Sequence, residues 1–398
     1  MAVRAVVLDL DGTLIDARGM AVSGIPEMMT DLRSMGMRLA VASNQPRAAQ
    51  KLLRAGLDVD FIIDKAMMGD NKGSKRWVPR VQDEFGIERN ELVWLGDSNR
   101  DMRAAVNTGV LYFNAGWSEP DYPYGINLAT PYLLPLFLQE FFQKPLSWYW
   151  QFDGRDRQAR SVLVKAMMDA NGAGFLDLKS DLIAFLKEGG DPRVGVGPMR
   201  LRTFIFMHFV GSLFGDPFYR RVDTWTAYPS SRGGTNPALS ALVTLVARLF
   251  KDRYFDDRLI RHTQSLDSGT SRRQQIQVTF SNQSNTIRVN QDHLRRIRGK
   301  HIVVIDDFAT RGYSGECARQ LLLEAGAAEV VCVNVCKYGP DYWTISRTDS
   351  NYTWNPCEAM DHPVHSFREM RTAGKNDPSV LTMIRESYRR VGAWRQQQ

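Results

Sequence analysis

The sequence predicts an α/β protein with two doubly wound parallel-sheet domains joined by a mainly helical region. Short apolar runs alternate with helix-length segments in both the first third and the last part of the chain. One apolar run in each of these parts ends in closely spaced acids that a glycine follows. The length of 398 residues also suggests two or three domains. The predicted domains are residues 1–130, a linker and helical region over 131–220, and residues 221–398.

Four strands and four helices alternate in the first predicted domain. Glycines that follow three of the helix patterns mark where those helices end, since glycine adopts the left-handed conformation of a helix C-terminus. The strands are predicted at Val3–Leu10, Arg38–Ser43, Leu92–Leu95 and Val110–Phe113, and the helices at Pro26–Met35, Pro46–Ala55, Lys75–Phe85 and Arg100–Asn107.

The chain changes character after residue 115, where Gly, Pro, Tyr and Trp predict a linker with a short apolar helix near Leu133–Phe142. Arg160–Phe214 is predicted to be mostly helical. A second α/β series follows, with strands at Arg221–Tyr228, Ile302–Ile305 and Glu329–Val335 and helices at Pro237–Phe250 and Gly315–Ala325. The polar stretch Phe255–Asn290 predicts a long mobile loop with a β segment.

The charge is uneven along the chain. Residues 1–145 carry a net charge of −2, and residues 146–398 carry +9. A basic C-terminal part suits anionic partners such as phosphorylated sugars, nucleotides or nucleic acid. A merely basic surface is equally compatible with this charge, so nucleic acid stays one possible partner.

The composition favours a cytoplasmic protein that does not enter a membrane. The longest apolar stretch, Phe204–Phe214, contains His208 and Gly211 and falls short of the ~20 residues that a membrane helix needs. The N-terminal residues lack the basic and then apolar pattern of a signal peptide. Four cysteines without a CxxC pair predict reduced thiols.

Two acids end the first predicted strand in the motif VVLDLDGTLID over Val6–Asp16. Their alternate spacing places Asp9 and Asp11 at the carboxyl edge of the sheet, where such folds bind ligands. Two neighbouring carboxylates can supply a nucleophile and a group that carries a proton. Gly12 and Thr13 allow a sharp turn of the backbone beside them.

The motif resembles that of the haloacid dehalogenase-like phosphatases, and further elements follow in the order typical of that family. Ser43 ends the second strand and matches the hydroxyl that holds the phosphoryl group. Lys72 lies where the family has a charge-neutralising lysine, with Lys75 as the alternative. Asp97 and Asp101 in WLGDSNRD match the acidic pair.

The resemblance implies catalysis by Asp9, Asp11, Ser43 and Lys72 with Mg²⁺ as cofactor. Asp9, Asp97 and the backbone carbonyl of Asp11 would ligate the metal, because a hard cation prefers oxygen ligands. About thirty residues separate Asp11 from Ser43 and Ser43 from Lys72. Neither gap can hold a large cap domain, so the site is either open to a bulky substrate or covered by the rest of the chain.

The stretch HIVVIDDFATRGYSG at His301–Gly315 and the turn WTAYPSSRGGTN at Trp225–Asn236 resemble type I phosphoribosyltransferases, in particular the competence-associated branch. The resemblance implies acids that face ribose hydroxyls or bind through Mg²⁺, a loop that wraps a 5′-phosphate, and a diphosphate-binding turn. Two departures are Arg311 in place of a threonine and a turn one residue longer. The implied binding residues are Arg232, Gly233, Asp306, Asp307, Ala309, Thr310, Arg311, Gly312, Tyr313 and Ser314.

Together the two resemblances predict a bifunctional enzyme of nucleotide or modified-nucleoside metabolism. Phosphoribosyl transfer to or from a base, with phosphoribosyl diphosphate or a nucleotide as substrate, would be coupled to Mg²⁺-dependent phosphomonoester hydrolysis. One alternative is an end-processing phosphatase whose basic domain binds nucleic acid. Another is a phosphatase gated by a nucleotide-sensing domain. The sequence decides neither the base, nor the direction of transfer, nor the oligomeric state.

Overall fold

The computed structural model describes residues 2–120, 122, 124–144, 146–197, 199–249, 253–265, 279–348, 354–359 and 367–394. The chain divides into two compact units. The first is Met1–Leu146 with Arg248–Lys251, and the second is Ser147–Ala247 with Asp252–Gln398.

The first unit is built on six strands in a single parallel sheet of order β3-β2-β1-β4-β5-β6. Its elements are β1 (Ala5–Asp9), α1 (Ile25–Ser34), β2 (Arg38–Ser43), α2 (Ala48–Ala55), β3 (Phe61–Asp64), α3 (Lys65–Met68), α4 (Trp77–Phe85), β4 (Leu92–Gly96), α5 (Asn99–Val106), β5 (Leu111–Ala115), β6 (Ile126–Leu128) and α6 (Leu133–Phe141).

Every residue of β1 is buried, because helices cover both faces of the sheet around this central strand. The strand pairs with β2 on one side and β4 on the other, with Asp9 beside Ala42 and Leu8 beside Leu95. On one face of the sheet, Trp94 of β4 lies in the same buried cluster as Trp77 of α4. Since all three strands are parallel, their carboxyl ends meet at one edge, and residues that follow them are brought together.

The second unit is built on a seven-stranded sheet of order β10-β9-β13-β14-β8-β7-β17, with the two smaller pairs β11-β12 and β15-β16. Its elements are β7 (Trp150–Arg155), β8 (Ser161–Asp169), α7 (Leu176–Glu188), α8 (Leu201–Gly215), β9 (Thr224–Ala227), α9 (Pro237–Leu249), β10 (Arg253–Tyr254), β11 (Leu259–Arg261), α10 (Ser281–Ser284), β12 (Ile287–Val289), α11 (Leu294–Ile297), β13 (His301–Ala309), α12 (Tyr313–Glu324), β14 (Glu329–Lys337), β15 (Asp341–Arg347), β16 (Phe367–Ala373), β17 (Lys375–Asn376) and α13 (Pro378–Ala393).

This second sheet is mixed, so the prediction of a second purely parallel sheet is wrong. Strands β10, β9, β13, β14 and β8 run parallel, whereas β7 is antiparallel to both β8 and β17. The cause is the short turn between Arg155 and Ser161, because a few residues can join only antiparallel neighbours.

The region predicted as a helical linker over 131–220 is instead divided between the units. Helix α6 belongs to the first unit, and β7 and β8 belong to the second sheet, where β8 pairs with β14. Strand β8 contains Lys165, Ala166 and two methionines, which favour helix in isolation. Tertiary pairing overrides that preference because the strand lies between two others.

Two further predictions concern the state of the cysteines and the presence of a membrane-spanning helix. All four cysteines are free, in agreement with the predicted reduced thiols, and the structure also shows that all four are buried. Over the described ranges, no helix has the length and apolar character needed to cross a membrane.

Candidate functional site

The candidate site lies at the carboxyl edge of the first sheet, where three strands end side by side. Asp9 is the last residue of β1, Ser43 is the last residue of β2, and Asp97 directly follows β4. Asp9 and Ser43 are buried, and Asp97 is partly exposed. The structure therefore brings together the predicted residues that the sequence places far apart.

Lys72 reaches this edge from the segment between α3 and α4. Its Nζ forms ion pairs with Asp9 Oδ1 and with Asp101 Oδ1, the latter at 2.7 Å, and its side chain is almost completely buried. The backbone N–H of Lys72 donates to Asn44 Oδ1 at 2.6 Å, which attaches the segment to the loop after β2. Lys75 is exposed, so Lys72 is the lysine of the two that contacts the aspartates.

The pKa values of the site residues are shifted because several acids are buried close together. Burial, followed by the charge of Asp101, raises the pKa of Asp9 well above its usual value, although Lys72 opposes the shift. Burial disfavours the charged form of Lys72, but the charges of Asp101 and Asp9 raise its pKa overall. Asp9 and Asp101 share one buried ammonium and Asp97 lies close to both, so this edge retains excess negative charge that a cation would neutralise.

Asp9, Asp97 and Asp101 each offer a carboxylate oxygen within 4.8 Å of the others. This all-oxygen donor set fits Mg²⁺. Asp101 already accepts hydrogen bonds from Trp94 Nε1 at 3.1 Å and from Ser98 Oγ, in addition to its pair with Lys72. Asp9 and Asp97 are therefore the better placed ligands, while Asp101 orients Lys72. The carbonyl of Asp11 as a third ligand stays a prediction.

The turn after β1 is shaped by Gly12, which has a φ of 84°. A Cβ at this position would lie 2.1 Å from Oδ2 of Asp97, which itself accepts a hydrogen bond from Ser118 Oγ at 2.8 Å. The next residue, Thr13, is buried, and its Oγ1 has no hydrogen-bond partner among the described residues. The turn thus brings the backbone close to the carboxylates with no space for a side chain at position 12.

Gly12→Ala should therefore damage the site. The left-handed backbone alone costs roughly 1–2 kcal/mol for a residue with a Cβ, and the new methyl group would displace the Asp97 carboxylate. We expect a lower melting temperature and weaker Mg²⁺ binding, measured by thermal unfolding with and without MgCl₂. Gly36→Ala is the matched control, since Gly36 has a φ of 77° but a methyl group there would meet no atom within 4 Å. Equal Mg²⁺ responses in the two variants would contradict this account.

Lys51 is a residue of this site that sequence reasoning missed. It lies in the first turn of α2, and its Nζ forms an ion pair with Asp11 Oδ1 at 2.6 Å. The signal available in the sequence was only its position, since the helix after Ser43 begins at the same edge of the sheet.

The second predicted site lies at the carboxyl ends of β9 and β13, which are neighbours in the second sheet. Strand β13 continues to Ala309, so Asp306 and Asp307 lie within the strand rather than after it. Thr310 and Arg311 form the following turn, and α12 begins at Tyr313. Gly312, with a φ of 84°, occupies the N-cap, so Ser314 lies in the first turn of the helix.

The end of α7 contacts both predicted loops of this second site. Lys187 forms an ion pair with Asp307, and Asn236 Nδ2 donates to the carbonyl of Leu186 at 2.6 Å. Burial, followed by the adjacent charge of Asp307, raises the pKa of Asp306 to about 8. The structure therefore brings the two acids and the predicted diphosphate turn to one end of the same helix.

The turn after β9 places Arg232 in solvent and gives Gly233 a φ of 91°. Arg261, in the stretch predicted as a long mobile loop, is instead buried and donates to the carbonyl of Ser230 at 2.7 Å and to Thr286 Oγ1. Its guanidinium therefore holds the backbone of the turn after β9. Arg272 and Arg273 of the same stretch lie outside the described residues.

Residues 18–115 match the family model of the haloacid dehalogenase-like hydrolases. Residues 18–115 therefore form a haloacid dehalogenase-like hydrolase domain, which confirms the resemblance of the first part of the chain at the level of a hydrolase. The match ends before the second unit begins. No curated protein matches the chain significantly.

Three solved structures illustrate what the first unit is similar to. A candidate phosphoglycolate phosphatase from Lactobacillus delbrueckii subsp. bulgaricus is 26% identical, with 30% of this chain and 54% of that chain covered and a TM-score of 0.28. A haloacid dehalogenase-superfamily hydrolase from Geobacter sulfurreducens is 16% identical, with coverages of 33% and 98% and a TM-score of 0.29. CbbY from Rhodobacter sphaeroides, solved with xylulose-(1,5)bisphosphate, is 16% identical, with coverages of 32% and 95% and a TM-score of 0.30.

The matched part of this chain spans about half the length of the Lactobacillus protein and nearly all of the other two. Since all three TM-scores are low, the assignment of the domain rests on the family match.

Proposed function

We propose that the first unit is a Mg²⁺-dependent phosphomonoesterase with Asp9 as its nucleophile. The observation that carries the proposal is the buried Asp9 carboxylate, held by Lys72 at the carboxyl edge of a haloacid dehalogenase-like domain and accompanied by Asp97 and Asp101. A carboxylate fixed in this way is oriented for attack.

Each residue at this edge of the sheet has a separate role in the proposed reaction. An Asp9 oxygen attacks phosphorus and forms an aspartyl-phosphate while the bond to the ester oxygen breaks. Asp11 donates a proton to that leaving oxygen and then accepts one from the water that hydrolyses the intermediate. The hydroxyl of Ser43 and the ammonium of Lys72 bind the phosphoryl oxygens. Bound Mg²⁺ would be ligated by Asp9 and Asp97 and would supply charge neutralisation at the phosphoryl group.

Metal removal is the direct test of the cofactor. Treatment with EDTA should abolish hydrolysis of p-nitrophenyl phosphate, and MgCl₂ should restore it, because the remaining carboxylates would otherwise repel the anionic substrate. Asp97→Asn should raise the MgCl₂ concentration needed for half-maximal rate by roughly tenfold or more, as expected when a charged ligand is lost. Undiminished activity after EDTA treatment would reject the metal-dependent mechanism.

A second candidate activity belongs to the second unit: binding of phosphoribosyl diphosphate or a nucleoside 5′-phosphate at Asp306–Ser314. The support is the convergence of Asp307 and the Arg232 turn on the end of α7, beside a twelve-residue helix whose N-terminus faces the same edge. Helix N-termini and left-handed glycines present backbone N–H groups to phosphate. Asp306 and Asp307 would bind ribose hydroxyls, directly or through Mg²⁺.

Combined, the two activities would form and then dephosphorylate a nucleotide. Phosphoribosyl transfer would join a base to C1 of the ribose with release of diphosphate, and the phosphatase would release the nucleoside. Incubation of the full chain with phosphoribosyl diphosphate, Mg²⁺ and a panel of nucleobases, with products identified by mass, tests this. Nucleoside formation supports the combined function. Hydrolysis of a 3′-phosphorylated oligonucleotide with steep salt dependence would instead favour nucleic-acid end processing.

A further inference from the structure

Lys51 and Asp11 form an ion pair at the rim of the candidate active site. Their nitrogen and oxygen lie 2.6 Å apart, and their side chains are 37% and 45% exposed. A pair so exposed to water is weak, because solvent screens its charges. The lysine can therefore exchange Asp11 for another anion at little cost.

The two lysines of the site differ in burial and in the number of carboxylates that they contact. Lys72 is buried and forms ion pairs with both Asp9 and Asp101, so its charge is neutralised inside the site. Lys51 contacts one carboxylate at the side of the site that opens to solvent. It is thus the cation available to a substrate group that extends beyond the phosphoryl centre.

In the proposed reaction Asp11 acts at the leaving oxygen of the substrate. Since Lys51 Nζ lies 2.6 Å from Asp11 Oδ1, Lys51 lies on the leaving-group side of the substrate. Lys51 remains anchored on α2 when Asp11 turns to the leaving oxygen, so an anionic group of the substrate can take the place of that carboxylate.

We propose that Lys51 is a substrate-selecting residue that binds a second anionic group, a carboxylate or phosphate, on the leaving-group side of the phosphomonoester. This inference rests on the proposed phosphatase function and adds the class of substrate. A substrate with such a group replaces Asp11 as the partner of Lys51 and gains a contact that a substrate with a neutral leaving group lacks.

The test uses the full chain with MgCl₂ and measures kcat/KM for matched substrates. One pair is glycerol phosphate and phosphoglycerate, and the other is adenosine 3′-phosphate and adenosine 3′,5′-bisphosphate. p-Nitrophenyl phosphate, whose leaving group needs little protonation, reports the basic phosphatase reaction. The variants are Lys51→Met, Lys51→Arg as the charge-conserving form, and Arg54→Met, which removes a charge from the exposed side of the same helix.

We expect the native chain to prefer the more anionic member of at least one pair. Lys51→Met should reduce that preference roughly tenfold, the usual effect of losing one charge-assisted hydrogen bond, whereas Lys51→Arg and Arg54→Met should keep it. The inference is overturned if the native chain shows no preference in either pair or if Lys51→Met retains it. Absence of all hydrolysis, including that of p-nitrophenyl phosphate, overturns the proposed function itself and this inference with it.

Discussion

Asp9→Asn should abolish hydrolysis of phosphomonoesters, with a loss of kcat of at least ~10³-fold, because a neutral amide cannot form the covalent intermediate. The side chain keeps its shape and the strand around it is fully buried, so packing should not change. Burial and the neighbouring acids already disfavour the charged form of Asp9, as its raised pKa indicates. Removing that charge should therefore leave the melting temperature unchanged or slightly higher.

The control variant for this prediction is Asp83→Asn on α4. Asp83 is exposed, and its substitution removes the same charge from the same unit without touching the site. Steady-state release of phosphate from p-nitrophenyl phosphate should persist in that control. If Asp9→Asn retained native activity while folded, as judged by circular dichroism, Asp9 would not be the nucleophile and the proposed mechanism would fail.

The first site could be predicted from the sequence because its chemistry depends on where strands end. Asp9, Ser43 and Asp97 each follow an apolar run, and in a parallel sheet the ends of neighbouring runs meet. The local pattern of apolar runs therefore predicted a cluster of residues that lie far apart in the sequence. For the charge-neutralising lysine, the sequence left two candidates, Lys72 and Lys75. Only the packing of the segment before α4 showed that Lys72 contacts Asp9 and Asp101.

The parts that sequence pattern did not predict depend on contacts between distant segments. Strand β8 has helix-favouring residues and becomes a strand because β14 and β7 pair with it on both sides. Lys51 is one of many lysines on amphipathic helices, and its contact with Asp11 depends on the angle at which α2 leaves the sheet. Neither feature has a local signature, since both are set by tertiary packing.

Asp306→Asn/Asp307→Asn should lose binding of phosphoribosyl diphosphate by at least roughly tenfold, because ribose hydroxyls or Mg²⁺ would lose their carboxyl partners. Titration calorimetry with MgCl₂ should be done on the full chain carrying Asp9→Asn, so that the first site cannot consume the ligand. We expect the second unit to stay folded in this design, because burial already disfavours the charged form of Asp306, as its raised pKa of about 8 indicates.

The direction of the effect is what makes this test decisive. Phosphoribosyl diphosphate is a polyanion, and removal of two acids from a basic part of the chain should strengthen any non-specific attraction. The control Asp256→Asn/Asp292→Asn removes two exposed acids of the same unit and should bind as tightly as the parent or more tightly. A loss confined to the first double variant therefore requires direct recognition by Asp306 and Asp307. Equal binding by both variants, or no binding by the parent, would reject the second site and leave the phosphatase as the only activity proposed for the chain.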